Sequence, residues 1–247
     1  MALEKFPNTI LESAPVSGYE KDPKAQEAAR LLNEFTERSH EVLEVAEVNK
    51  KRAKEGKMPG NVIVSRDAGD CLPRFPSINE LHGLRFGSFV QMPVEKGIAL
   101  LTGIDVVDIP QSTGKPQVDY PLWADTALKR IKDFDGLYIH IKGPDEPAHD
   151  GNFNKKKASI EAIDKFFFAN LLAKINLKDV VIALTADHST PCRLKAHSAD
   201  PVPFLVAGGK IVCDGTQDFG EAACRKGSLG EILGIDIMSK LIDFAKM

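Results

Sequence analysis

Residues 137–151 read LYIHIKGPDEPAHDG, an apolar run that gives way to a polar segment. The run over residues 137–141 is typical of a β-strand, and Gly143 and Pro144 favour its end. Asp145 and His149 follow directly, on the segment that leaves the strand. Open α/β sheets bind ligands at the carboxyl ends of their strands, so this stretch predicts a functional site at one sheet edge.

Two later segments repeat this arrangement. The run VVIALTA (180–186) ends in Asp187 and His188, and His197 lies just before another apolar run that follows Asp200-Pro201. A single Asp or His at the end of a strand is more often a cap or a turn former than a metal ligand. Three consecutive loops with mixed carboxylate and imidazole donors instead favour a divalent metal. The candidate ligands are Asp145, His149, Asp187, His188 and His197.

The number of donors predicts two ions rather than one. Five ligands exceed the three that a single catalytic ion commonly takes from a protein, and paired ions are frequent in phosphoryl transfer. These donors do not distinguish Mn, Zn, Mg and Co. Ser189 and Thr190 directly follow the Asp187-His188 pair and are candidates for ordering that loop.

Strands and helices alternate around these loops. We predict strands at 86–92, 136–141, 180–186 and 202–207, and helices around Ala99 and at 123–134, 160–174 and 237–246. This rhythm predicts the α/β class, with a mostly parallel sheet covered by helices on both faces.

The region before residue 83 has a different organisation. Apolar residues at helical spacing predict one amphipathic helix over residues 24–48, with Asp22 as its N-cap before Pro23. NVIVS (61–65) predicts a short strand. Turn formers over residues 67–83 place a domain boundary near His82, which gives domains 1–82 and 83–247.

Basic residues supply candidate anion ligands. Arg52 lies in the cluster NKKRAKEGK (49–57), whose ordinary interpretation is a solvated helix end. Arg66 follows NVIVS, and Lys96 lies between apolar segments. We expect one or more of these three to contact a phosphate or carboxylate, for which a guanidinium is better shaped than an ammonium.

Composition limits the class of partner and the compartment. The 247 residues carry a formal net charge of −3, which argues against nucleic acid as a partner. Four cysteines without a CxxC pair predict reduced thiols and a cytoplasmic location. No uncharged run approaches the roughly 18 residues of a membrane helix, so we expect no membrane association.

The same segments resemble a known family. KGPDEPAHDGN (142–152), ALTADHSTPC (183–192) and KAHSADPVPFLV (195–206) are similar to the three metal-binding segments of archaeal-type cofactor-independent (2,3-bisphosphoglycerate-independent) phosphoglycerate mutases, of the alkaline phosphatase superfamily. Similarity extends to residues 39–66, to VEKGIALLTGI (94–104) and to GSLGEILGIDIM (227–238).

The resemblance implies an incomplete alkaline phosphatase-like core in residues 83–247. It implies part of a smaller α/β insertion domain, which caps the substrate, in residues 1–82. One ion would lie at Asp145, His149 and His197, and a second at Asp187 and His188. Arg52, Arg66 and Lys96 would lie in or near a phosphoglycerate pocket.

Two departures from the family pattern affect the expected activity. The family has RGAG where this chain has Arg66-Asp67-Ala68-Gly69. The family's first Asp-Gly metal ligand and its serine nucleophile are not found here. We therefore expect a fragment or half-enzyme that lacks turnover alone and needs a separate amino-terminal half to interconvert 3- and 2-phosphoglycerate. The alternatives are a metal-dependent phosphatase or phosphonate hydrolase of the same superfamily, or a non-catalytic metal-binding remnant.

Overall fold

The computed structural model describes residues 12–65, 69 and 71–246. The chain forms two compact units, residues 1–72 and 73–247. The division falls between Leu72 and Pro73, before the predicted boundary near His82. Helix α3 (Ile78–His82) belongs to the second unit because the N–H of Ile78 donates to the Thr102 carbonyl, 2.8 Å away.

Within the described residues of the first unit, two helices form where the sequence pattern predicts one. Helix α1 (Pro23–Glu44) begins as predicted, with the Asp22 carboxylate accepting from the N–H of Lys24. It ends early, and α2 (Glu47–Lys54) follows. Buried Asn49 stabilises this break, since its amide donates to the carbonyls of Leu43 and Gly60 at 2.7 and 3.0 Å.

The predicted strand over residues 61–65 is wrong. These residues pair with no strand in the described part of the chain. Instead, the Asn61 carbonyl lies 2.7 Å from His40 Nδ1, and the Asn61 amide donates to Glu44 across 2.7 Å. Side chains of α1 thus form hydrogen bonds with the polar groups of Asn61. An apolar run that has no partner strand forms no sheet.

A parallel sheet occupies the start of the second unit. Strand β1 (Phe86–Phe89) is central, with β2 (Asp105–Val106) on one side and β3 (Gly136–Ile139) on the other, both parallel to it. Phe89 and Ser88 in β1 are buried, as expected for a strand with neighbours on both sides.

Helices pack around this sheet to form the core. The remaining helices are α4 (Pro93–Leu101), α5 (Pro116–Arg130), α6 (Asp145–His149), α7 (Phe153–Ala162), α8 (Ala169–Leu172), α9 (Glu221–Cys224) and α10 (Ile237–Lys246). A π-helical segment, Ile163–Phe168, joins α7 to α8. Trp123 of α5 packs with Phe89 and Phe167 in one cluster. The predicted α/β class, a parallel sheet with packed helices, is confirmed.

The last two strands differ from the expected parallel arrangement. Strand β4 (Val181–Leu184) pairs antiparallel with β5 (Leu205–Gly208), and within the described residues these two form a separate sheet. The chain reverses direction between the two strands, which allows them to pair antiparallel. An apolar strand sequence looks the same whether the strand pairs parallel or antiparallel with its neighbour. Helix α10 contacts β4.

Candidate metal centre

Asp145 and His149 lie on α6, the short helix that follows β3. We expected a loop here, but one helical turn forms, with Asp145 as its first residue and His149 as its last. A spacing of four residues places both side chains on the same helix face. His149 Nε2 is 3.4 Å from Asp145 Oδ1.

His197 completes a triangle of donor atoms. Its Nε2 lies 3.1 Å from His149 Nε2 and 3.6 Å from Asp145 Oδ1. Metal bonds of about 2.1 Å at tetrahedral angles place neighbouring ligand atoms roughly 3.4 Å apart. The three donors therefore fit around one divalent ion without rearrangement of the backbone, and they bring together three of the five predicted ligands.

The His149 ring is oriented by the loop that carries His197. Its Nδ1 lies 3.1 Å from the backbone carbonyl oxygen of Lys195. A carbonyl oxygen only accepts, so Nδ1 of His149 carries the proton and Nε2 of the neutral ring keeps a lone pair. That lone pair lies on the atom that faces Asp145 and His197, as metal binding requires.

Asp187 and His188 form a second, smaller donor pair. His188 Nε2 is 3.2 Å from Asp187 Oδ2. The His188 ring stacks on His197, with centroids 3.6 Å apart, so this pair adjoins the first triangle. Within the described residues, a group of three or more converging donors forms at Asp145, His149 and His197, and Asp187 and His188 add no third ligand of their own.

Thr190 lies between the two donor groups. Its hydroxyl donates to Asp145 Oδ1 across 2.8 Å and lies 3.1 Å from His188 Nδ1. Burial raises the pKa of Asp145, but the hydrogen bond from the Thr190 hydroxyl, with the positive charge that His149, His188 and His197 carry when protonated, outweighs this and holds that pKa below its usual range. Asp145 is thus ionised at neutral pH, the state in which a carboxylate binds metal.

The predicted anion ligands are divided between the two units. Arg52 belongs to the first unit, in the last turn of α2, where its Nε donates to the Met58 carbonyl across 3.0 Å. Lys96 belongs to the second unit, in α4. Arg66 lies outside the described residues. The roles of all three stay predictions.

Contacts to Lys195 and Thr190 were not foreseen as parts of the donor arrangement. The sequence makes Ser189 and Thr190 candidates for ordering their loop, and Ser189 forms a β-bridge with Ser198. The contact from Thr190 to Asp145 spans 45 residues, however, and that of Lys195 uses a backbone atom. Neither contact leaves a signal in local sequence.

A family model described as the metalloenzyme superfamily matches residues 30–243. The chain belongs to the metalloenzyme superfamily. Membership agrees with the converging donors of Asp145, His149 and His197. It supports metal binding as a class property, without selecting the metal.

Within this superfamily the chain is similar to archaeal phosphoglycerate mutases. It is 38% identical over 224 residues to the 2,3-bisphosphoglycerate-independent phosphoglycerate mutase of Thermococcus kodakarensis, covering 90% of this chain and 54% of that protein. It is 40% identical over 238 residues to the Aeropyrum pernix protein of the same name, covering 95% and 55%. The chain therefore spans about half the length of these curated relatives, and the resemblance seen in the sequence motifs is confirmed.

Solved structures agree with this similarity. A Pyrococcus horikoshii protein superposes with a TM-score of 0.75 at 35% identity, over 91% of this chain and 58% of that one. The cofactor-independent phosphoglycerate mutase of Thermoplasma acidophilum gives a TM-score of 0.55 at 27% identity, over 91% and 54%. All four cysteines are free thiols. None of the described helices has the length and apolar character needed to cross a membrane.

Proposed function

We propose that this chain is the metal-binding part of a 2,3-bisphosphoglycerate-independent phosphoglycerate mutase. The reaction is the interconversion of 3- and 2-phosphoglycerate, a step of glycolysis and gluconeogenesis, in the cytoplasm. The observation that carries the proposal is the convergence of Asp145, His149 and His197 in a chain similar to enzymes of that name.

Two divalent ions would be held by the five predicted ligands. Asp145, His149 and His197 would hold one, and Asp187 and His188 would contribute to the second, which needs further donors from outside the described residues. The donor set is compatible with Mn²⁺, Zn²⁺, Mg²⁺ or Co²⁺. When bound, such ions supply positive charge that stabilises a transferring phosphoryl group.

Lys96 is the best supported of the predicted substrate ligands. It lies in the first turns of α4, which begins four residues after the carboxyl end of β1. Because β1 and β3 are parallel, the start of α4 and the end of β3 lie at the same edge of the sheet. Glu95, beside Lys96, contacts His140 at 2.5 Å, just after β3, which supports this placement. We extend the substrate role to Arg52 and Arg66 by resemblance alone.

The proposed partner is an amino-terminal mutase segment that brings the serine nucleophile and the missing ligands. In the described residues β3 pairs with β1 alone and β4 pairs with β5 alone. An unpaired strand edge has free backbone donors and acceptors and readily takes up another strand. Tyr138 on β3 is 53% exposed, as expected for a side chain that a further element would cover.

Activity measurements test this proposal. The 247-residue chain would be supplied with Mn²⁺ and 3-phosphoglycerate, alone and together with a co-expressed amino-terminal portion of the Thermococcus kodakarensis relative. We expect 2-phosphoglycerate from the mixture only, because the family's serine nucleophile, which accepts the phosphoryl group, is not found in this sequence. The same mixture with His149→Ala is the control and should be inactive.

The products distinguish the other hypotheses. Free phosphate in place of 2-phosphoglycerate would favour a metal-dependent phosphatase, and a phosphonate substrate would then test hydrolysis of that bond. Metal binding without turnover in the mixture would favour a non-catalytic remnant. Mutase activity of the chain alone would overturn the proposal that it needs a separate amino-terminal half. Ser189 would then be the first candidate nucleophile to replace.

A further inference from the structure

One buried hydroxyl connects the two donor groups. Thr190 is 4% exposed, and its Oγ1 lies 2.8 Å from Asp145 Oδ1 and 3.1 Å from His188 Nδ1. Asp145 belongs to the three-donor group and His188 to the two-donor group. Oδ1 is also the Asp145 oxygen that lies 3.4 Å from His149 Nε2 and 3.6 Å from His197 Nε2.

The direction of these hydrogen bonds follows from the number of protons. A hydroxyl has one hydrogen, and ionised Asp145 can only accept, so that hydrogen is directed to Oδ1. Thr190 Oγ1 must then accept from His188, which places the proton of neutral His188 on Nδ1. The lone pair is left on Nε2, the atom that lies 3.2 Å from Asp187 Oδ2.

Thr190 is itself held in place from two sides. The ammonium of Lys156, on α7, donates to the Thr190 carbonyl across 2.8 Å. The preceding residue, Ser189, accepts from the N–H of Ser198 across 3.0 Å, beside His197. The hydroxyl therefore has a fixed position relative to both donor groups rather than that of a mobile loop residue.

We propose that Thr190 is a positioning residue that orients one ligand of each metal site, Asp145 and His188, through a single hydroxyl. This inference rests on the proposed metal-binding function of those ligands. Partners of this kind fix the orientation and tautomer of metal ligands, and their loss commonly lowers metal affinity by about 10–100-fold. Thr190 makes no direct metal contact in this assignment.

Three variants test the role. Thr190→Val keeps the shape and removes the hydroxyl, Thr190→Ser restores it, and Thr126→Val makes the same change in α5, where the hydroxyl only donates to the Leu122 carbonyl. Zn²⁺ affinity would be measured by calorimetry. The tautomer of His188 would be read in metal-free protein from long-range ¹H–¹⁵N correlations.

We expect Thr190→Val to bind Zn²⁺ at least about 10-fold more weakly and to lose the Nδ1–H form of His188 as its dominant tautomer. Thr190→Ser should restore both properties, and Thr126→Val should match wild type. A merely structural role for Thr190 would lower stability without a change of tautomer.

The contradicting results are separable. An Nε2–H tautomer of His188 in the metal-free wild type would overturn the inference, and this measurement also decides if Thr190→Val does not fold. Zn²⁺ binding by wild type with unchanged affinity in Thr190→Val would overturn the inference alone. Absence of Zn²⁺ binding by wild type would overturn the proposed function together with it.

Discussion

His149 donates from Nδ1 to the backbone carbonyl of Lys195, and Lys195 adopts a φ of 53°. Among the described residues it is the one non-glycine residue with positive φ. A side chain in this left-handed region costs about 1–2 kcal/mol. This strained residue is the one whose carbonyl orients His149, and its loop carries His197. The strained backbone is therefore part of the donor arrangement.

Replacement of Lys195 should separate backbone strain from side-chain charge. We expect the free energy of unfolding of Lys195→Gly to stay within about 1 kcal/mol of wild type, because glycine adopts positive φ freely but loses more backbone entropy on folding. Lys195→Val should lose about 1–2 kcal/mol, because a β-branched residue is poorly accommodated there, and should bind Zn²⁺ more weakly. Urea unfolding and calorimetry measure both quantities. Equal stability of the Gly and Val variants would contradict the role of φ.

Removal of a direct donor should affect Zn²⁺ binding more than removal of a supporting group. We expect His149→Ala to bind Zn²⁺ more than about 100-fold more weakly, since loss of a supporting partner alone costs about 10–100-fold. His40→Ala is the matched control, because the two imidazole side chains are comparably exposed, at 51% for His40 and 42% for His149. Calorimetric titration of both variants gives the comparison. Similar affinities in wild type and His149→Ala would refute the ligand assignment.

The sequence pattern places candidate donors directly after apolar runs, and Asp145, His149 and His197 converge in the structure. Asp145 and Asp187 each follow an apolar run, although β3 and β4 belong to separate sheets in the described residues, so a single sheet edge does not account for their proximity. His197 joins them because its segment pairs with the loop after β4, through Ser189 and Ser198. The order of the strands is not needed for this prediction.

Other features depend on contacts that local pattern does not carry. The apolar runs of β4 and β5 fit a parallel or an antiparallel sheet equally well, so their pairing could not be foreseen. The run at 61–65 has strand composition but no partner strand in the described part of the chain. The break after Glu44 depends on the side chain of Asn49, which reaches Gly60 across 11 residues.

Acid should weaken the second unit through a buried carboxylate, Asp119. It is 3% exposed and accepts hydrogen bonds from Ser112 Oγ, Thr113 Oγ1 and the N–H of Thr113. Burial raises its pKa, but these hydrogen bonds outweigh burial and hold the pKa below its ordinary value of 3.8. Because the pKa is lower in the folded protein than in the unfolded chain, the stabilisation is complete above the ordinary pKa and is lost as pH falls through the folded pKa.

Replacement of Asp119 by asparagine should reveal this pH-dependent stabilisation. We expect Asp119→Asn to lose about 2 kcal/mol at neutral pH, because amide hydrogens replace an acceptor that three donors face. The difference from wild type should narrow as pH falls below 3.8. Asp125→Asn, also in α5, is the control, since its ion pair with Lys174 is exposed and should contribute less than about 1 kcal/mol. Urea unfolding across this pH range is the measurement, and a difference that is independent of pH would argue against the carboxylate.

Two glycines should respond to alanine with opposite signs. Gly208, at the end of β5, has a φ of +101°, and an added Cβ would collide with the backbone carbonyl oxygen of Val180. Alanine is strained at this φ, and the carbonyl oxygen of Val180 belongs to the backbone and cannot move without further strain. We therefore expect Gly208→Ala to lower the free energy of unfolding by about 3 kcal/mol or more.

Gly97, in the middle of α4, provides the comparison for the same chemical change. A Cβ added there meets nothing within 4 Å, and its φ lies outside the left-handed region. We expect Gly97→Ala to gain about 0.5–1 kcal/mol, because alanine loses less backbone entropy than glycine when a helix forms. Both variants would be unfolded in urea beside wild type. A loss at Gly97 as large as that at Gly208 would mean that general sensitivity to alanine, rather than the positive φ of Gly208 and its proximity to Val180, governs the response.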